Sequence, residues 1–245
     1  MTAAHDKHSP ERVAILQWAA RLGAVTAEAL ADREGWTTAS ARARMLAAER
    51  DRLLTRVRPL SGQPALYTVT PAGLRMAGLQ GLDPGRVSAS SAQHSIACAQ
   101  AAVALERRYP EHRLLGEREL RRDERERGTP LASARLGTRP DGGPLLHRPD
   151  LVLWPDASHG GLPVAVEVEL TVKAPRRLLE ICRAWARCRC VAGVIYLAPP
   201  EVARALGRAI EKAQAHERVV VVALDALGLG AGVTAPSQEA ITGGA

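Results

Sequence analysis

Three strand-like apolar runs, separated by amphipathic helical stretches, constrain the second half of the chain most. They are "LPVAVEVELTVK" (162–173), "VAGVIYLAP" (191–199) and "RVVVVAL" (218–224). The last two are apolar apart from the leading Arg218, as a strand buried on both faces must be. Between them, residues 174–188 set Leu178, Ile181, Cys182 and Trp185 on one helical stripe, and residues 200–216 do the same with Val202, Leu206, Ala209, Ile210 and Ala213. Strand and helix in alternation predict a small α/β domain with a mixed sheet over residues 94–227. "DLVLW" (150–154) supplies a short strand, and "HSIACAQAAVALERRYP" (94–110) a helix stopped by Pro110. "RLLGERELR" (113–121) reads as a strand. Residues 121–144, with mixed charge and turn formers, read as an exposed or disordered loop. The predicted order is therefore helix, three strands, helix, strand, helix, strand.

The first half has a different rhythm. Residues 11–22 predict an amphipathic helix ended by Gly23, Thr26 opens a short second helix, and Thr37 or Thr38 caps a third through "SARARMLAAERDRLL". "TRVRPL", the turn "SGQP" and "ALYTVT" then predict a hairpin, and Thr70-Pro71 starts another helix. Three helices followed by a hairpin is the order of a winged helix-turn-helix. "LYTVTPAG" (66–73) resembles the Y-x-L-T-x-x-G close of the wing in bacterial winged-helix regulators. The expected organisation is a DNA-binding domain over 8–80, a Gly/Pro/Ser-rich linker over 81–93, the α/β domain over 94–227 and a frayed tail over 228–245.

Charge points to the partner class. The chain carries a net +7, which favours a polyanion. Of its 33 basic residues only Lys7, Lys173 and Lys212 are lysines, so Lys173 stands out. Phe is absent and aromatic residues make up 3%, which argues against base stacking as in single-strand binders. No apolar run approaches the roughly 18–20 residues of a membrane span. The start lacks a secretory layout. The expectation is a cytoplasmic protein without a membrane partner. Cys98, Cys182, Cys188 and Cys190 form no Cys-x-x-Cys pair and read as reduced, partly buried thiols. The alternative for Cys188-Arg-Cys190 is a metal or redox pair.

The chemistry concentrates in "VAVEVELTVK". Its even positions are apolar, whereas Glu167, Glu169, Thr171 and Lys173 share the other face of an extended strand. That face is either solvated surface or a carboxylate site. If the strand pairs with its neighbour "DLVLW", Asp150 stands beside Glu167. Adjacent carboxylates repel, and a hard divalent cation relieves the repulsion. A lysine on the same face can stabilise charge developing on a phosphate.

Pro149-Asp150 with Glu167-Val168-Glu169 and Lys173 resembles the PD-(D/E)xK nuclease superfamily, flanked as there by a preceding and a following helix. The resemblance implies a restriction-endonuclease-like fold, Asp150, Glu167 and Glu169 as ligands of Mg2+ (or Mn2+), Lys173 as the assisting lysine, and Glu117 or Glu119 as a further acid. The sequence departs from the pattern at Glu169, where the superfamily has its lysine. Members without activity bind DNA only. Residues 10–225 as a whole also resemble the actinobacterial, plasmid-linked replication-relaxation proteins, through the strand-like "ERELR" (117–121), "RPD" (148–150) and "EVELTVK" (167–173). The expected function is a DNA-binding protein of plasmid or mobile DNA that nicks or cuts it with magnesium. The alternative is a non-catalytic regulator or replication accessory on a degenerate nuclease fold. Expected DNA contacts are Ser40, Arg42 and Arg44 at the start of the third helix, Arg56 and Arg58 at the wing, and the stripe Arg176, Arg183 and Arg187. His94 and His147 read as surface imidazoles, the alternative being a base or ligand beside the acidic cluster. The partner is double-stranded DNA, and a homodimer is expected from the habits of winged-helix proteins.

Overall fold

Hydroxyl caps set most helix starts in the first half. The computed structural model describes residues 9–156, 158 and 160–227. Ser9 caps α1 (Pro10–Leu22), Thr26 caps α2 (Ala27–Glu34), Thr37 caps α3 (Thr38–Arg50) and Thr70 caps α4 (Pro71–Met76). In each the side-chain oxygen accepts from a backbone N–H of the first turn that has no partner within the helix. Strands β1 (Val25–Thr26), β2 (Leu54–Val57) and β3 (Leu66–Val69) form an antiparallel sheet in the order β1-β3-β2. Leu16, Trp18, Leu30, Met45 and Tyr67 fill the core beneath it.

The second half opens with α5 (Ala89–Arg108), whose Ser88 cap and Ser91 form a capping box. Then come β4 (His112–Gly116), α6 (Glu117–Arg127), β5 (Ala134–Thr138), β6 (Pro144–His147), β7 (Leu151–Pro155), β8 (Val164–Val168), α7 (Pro175–Arg187), β9 (Gly193–Ala198), α8 (Pro200–Ala213), β10 (Val219–Ala223) and a 3-10 turn, Leu224–Leu227. A five-stranded sheet runs β10-β9-β8-β7-β4. Strands β8, β9 and β10 are parallel, whereas β7 runs antiparallel to both of its neighbours, β8 and β4, so the sheet is mixed. One face packs on α7 and α8 around Trp185, the other on α5 around Leu105. Among the described residues the chain is a mixed α/β protein with eight α-helices, none long and apolar enough to cross a membrane.

Three local expectations are corrected. "ERELR" is not strand: β4 stops at Gly116 and α6 begins at Glu117. Glu and Arg are good helix formers, Glu117 and Glu119 sit in the positive first turn, and Gly128 ends the helix in a left-handed conformation. Residues 121–144 are not a loop: they finish α6 and form most of the β5–β6 hairpin. Nor is 81–93 loose. Leu82 is buried in the first core, and a Cβ at Gly85 would lie 2.0 Å from the Gly23 carbonyl oxygen. Its last residues already belong to α5. The predicted tail, 228–245, lies outside the described residues.

Helix α5 belongs to more than one core. Ala99 and Val103 pack with the first-half residues, Ile96 with Leu66 and Ala24, and Ala97, Ala101 and Leu105 under the sheet. Buried Glu119 adds a polar tie. It lies 3.5 Å from Arg21 of α1 and 3.5 Å from Arg113 of β4, and burial raises its pKa against the opposing pull of those arginines.

Candidate functional site

The charged face of β8 is interior. Glu167 is 5% exposed and Glu169 6%, which answers the question the alternation raises: this is not solvated surface. Val164, Val166 and Val168 pack toward α5, and Ala165 packs under α7 and α8. Glu167 shares the parity of Ala165 and so enters the second layer. The extended geometry does not persist to Lys173, because β8 ends at Val168 and a bend follows. Lys173 nevertheless reaches Glu169, four residues back, as an ion pair.

Pairing of Leu151 with Val166 sets Asp150 beside Glu167 at the end of the β7–β8 ladder. The two carboxylates have separate partners. Asp150 Oδ2 accepts the Val168 backbone N–H at 2.8 Å and lies 3.2 Å from His94 Nε2. Glu167 Oε1 lies 2.7 Å from His147 Nε2, but not along a hydrogen-bonding direction, so both buried atoms lack a hydrogen-bond partner. Burial pushes the Glu167 pKa up. His147 opposes that shift, Asp150 adds to it, and Lys173 opposes it. Glu117 donates its backbone N–H to the Asp150 carbonyl, while its exposed carboxylate pairs with Arg121.

Among the described residues, one trio of His, Cys, Asp or Glu donors converges within 4.8 Å: His94, Cys98 and Asp150. Asp150, Glu167 and Glu169 do not converge in that way. The trio offers one nitrogen, one sulfur and one oxygen, a set for borderline transition metals rather than for magnesium, which takes oxygen ligands. As arranged, the three carboxylates do not present their oxygens to one point, the three-ligand set that the resemblance implies. The signal for the trio was available in the sequence: His94 and Cys98 are four apart on a helix and share a face. Burial tends to lower the His94 pKa, but hydrogen bonds to Asp150 and Cys98 carry it above the histidine range. Burial pushes the Cys98 thiol up to about 11.

The predicted DNA contacts separate into two groups. Arg42 is exposed on α3, in an open ion pair with Glu28. Arg58 is exposed beyond β2, with no side-chain partner among the described residues. Arg44 is engaged internally: its guanidinium lies 4.2 Å from the Trp36 ring centroid, pairs with Glu11 and takes the Ser40 hydroxyl. Arg56 lies 3.5 Å from Glu49. Arg176 pairs with Glu180, and Arg183 and Arg187 are exposed; all three lie on the outer face of α7, away from buried Glu167. Arg50, the last residue of α3, and Arg52, in the turn before β2, are also exposed and were not among the expected contacts.

No family model, no curated protein and no solved structure matches the chain.

The buried carboxylate has a measurable consequence. A folded-state pKa above the ordinary glutamate value means that Glu167 costs nothing below that value, and that stability is lost as pH rises through the folded value. Glu167→Gln should therefore match wild type near pH 4 and become the more stable of the two as pH rises toward neutral. Urea melts of both proteins across that range check it. A constant difference at all pH values would remove the assignment.

Proposed function

We propose that the protein binds double-stranded DNA through a winged helix formed by its first half, and that its second half is a PD-(D/E)xK-like scaffold that does not cut. The observation that carries the reading is the open basic face of α3 and the hairpin. Ala39, Arg42, Ala43 and Arg50 are exposed along α3, and Arg52 and Arg58 are exposed before and after β2. Small side chains allow close approach to base edges, and alanine can touch the thymine methyl group. The flanking arginines hold phosphates. A role on plasmid or mobile DNA rests on the resemblance to replication-relaxation proteins. The non-cutting reading is supported by the side chains already set against the acids: His94 is hydrogen-bonded to Asp150, Lys173 is ion-paired with Glu169, and the His147 ring nitrogen stands 2.7 Å from Glu167.

A second reading, a magnesium- or manganese-dependent nicking or cutting enzyme, is favoured by one observation. Asp150 stands beside Glu167, whose Oε1 is buried without a hydrogen-bond partner. Incubation of supercoiled plasmid with either metal separates the two. Asp150→Asn serves as the comparison, since asparagine keeps an oxygen to accept the Val168 N–H. The expected result is binding by both proteins with no nicking by either. Nicking by wild type that Asp150→Asn lacks would install the second reading, and failure of wild type to bind duplex would remove both.

A further inference from the structure

The two cysteines that follow α7 lie far closer than separate thiols require. Cys188 closes the helix by donating its N–H to the Trp185 carbonyl, in an extended conformation (φ −69°, ψ 124°). The chain then brings Cys190 alongside, and the two sulfurs stand 3.1 Å apart. Both approach one acceptor, the Ser133 carbonyl, at 3.8 and 3.7 Å. Arg218 fixes the backbone around them by donating to the Cys188 and Val191 carbonyls. A disulfide has a sulfur–sulfur distance of about 2.05 Å, so closure asks for a movement of about 1 Å. An open groove of about 600 Å³ reaches the pair, lined by Ser133, Arg135, Arg187, Cys188, Arg189 and Cys190.

We propose that Cys188 and Cys190 form a reversible peroxide-responsive dithiol, in which Cys188 is the attacking sulfur and Cys190 the resolving one. The Cys188 thiolate attacks one oxygen of hydrogen peroxide. The O–O bond breaks, hydroxide leaves, and Cys188 becomes a sulfenic acid. The Cys190 sulfur then attacks the Cys188 sulfur, the S–O bond breaks, and the departing hydroxide leaves as water with the Cys190 proton. Two electrons pass from the two sulfurs to the peroxide, and an external dithiol restores the pair by exchange.

The division of roles follows from the surroundings. The Cys188 thiol is brought down to about 6, first by its hydrogen bond with Cys190 and against burial, with Arg218 assisting. Cys190 is pushed up by the same hydrogen bond and by burial. The remaining thiols serve as internal controls: Cys98 and Cys182 are buried, and burial pushes each up to about 11. Thiolate character and a second thiol alongside select the reacting pair; Cys188 is itself buried, but Cys98 and Cys182 have neither feature among the described residues.

Arg189, between the two cysteines, makes the test direct. Trypsin releases Cys188-Arg189 as a dipeptide and cuts again after Arg204. The full-length protein is treated with a small excess of hydrogen peroxide, alkylated under denaturing conditions and digested without reductant. The expected result is loss of two of the four thiols, with the dipeptide retained on peptide 190–204 and released by dithiothreitol. Cys190→Ser should instead accumulate a dimedone-reactive sulfenic acid at Cys188, and Cys188→Ser should leave Cys190 as a thiol. Circular dichroism confirms that each variant is folded. Retention of all four thiols would overturn the proposal, as would oxidation of Cys98 or Cys182 in place of the pair, or a sulfinic acid at Cys188 without a cross-link.

Discussion

Arg42→Glu combined with Arg58→Glu should weaken duplex binding on the order of 10³-fold near physiological salt. Each phosphate neutralised by a side chain contributes a slope of about −0.9 in log K against log salt, or about 5-fold in affinity at 0.15 M. Two arginines replaced by alanine remove two such charges, for about 30-fold and a slope shallower by about 2. Reversal doubles the change in charge. Binding to the duplex must first free Arg42 from Glu28, but that pair is exposed, and such pairs contribute about 0–1 kcal/mol. Fluorescence anisotropy titrations at several salt concentrations measure both quantities. Arg44→Ala is the contrast. It should lower stability through the Trp36 stack and the Glu11 pair, with a smaller change in the salt slope. An unchanged slope in the doubly reversed variant would move the DNA surface off α3 and the hairpin.

Glu124→Ala should destabilise the fold by about 3–5 kcal/mol. The side chain is 4% exposed and both oxygens are used: Oε1 accepts the Leu131 N–H at 3.0 Å, and Oε2 pairs with Arg148 Nε at 2.9 Å. Truncation leaves a backbone donor and a largely buried guanidinium without acceptors, which costs far more than the intact pair contributes. A typical domain has about 5–15 kcal/mol in hand, so a loss of this size should lower Tm by roughly 10 °C or more. Glu117→Ala, seven residues earlier on the same helix, removes only an exposed pair with Arg121 and should change stability by less than about 1 kcal/mol. Thermal melts of the two variants make the comparison, and equal losses would show that Glu124 is not the anchor of the hairpin.

Periodicity made the scaffold legible where it was strong. The hydroxyl caps at Thr26, Thr37 and Thr70 announced three helices, and the apolar runs at 191–199 and 218–224 became β9 and β10. Periodicity failed over 117–144, where high charge masks the apolar pattern. Helix α6 buries only Glu119, Leu120 and Glu124, and two of these are acids set against arginines of other segments, Arg21 and Arg113 for Glu119 and Arg148 for Glu124. Partner choice was equally hidden. Asp150 and Glu167 were placed side by side by strand pairing, yet nothing local indicated that His94 and His147 would approach them. Lys173 was singled out by its rarity and does meet the acid cluster, at Glu169, by a bend rather than along an extended strand.

The sharing of α5 has a mechanical consequence. Its residues complete the core beneath the β1–β3 sheet and the core beneath the five-stranded sheet, and 81–88 is pressed against α1 by the Gly85–Gly23 approach. Regions that share buried contacts open together, as one cooperative unit. A duplex held on α3 would consequently lie at a fixed angle and distance from the acid cluster, with no swinging tether to bring other stretches within reach. Proteolysis between residues 80 and 90 would expose apolar surface on both sides of the cut instead of releasing two domains that fold on their own.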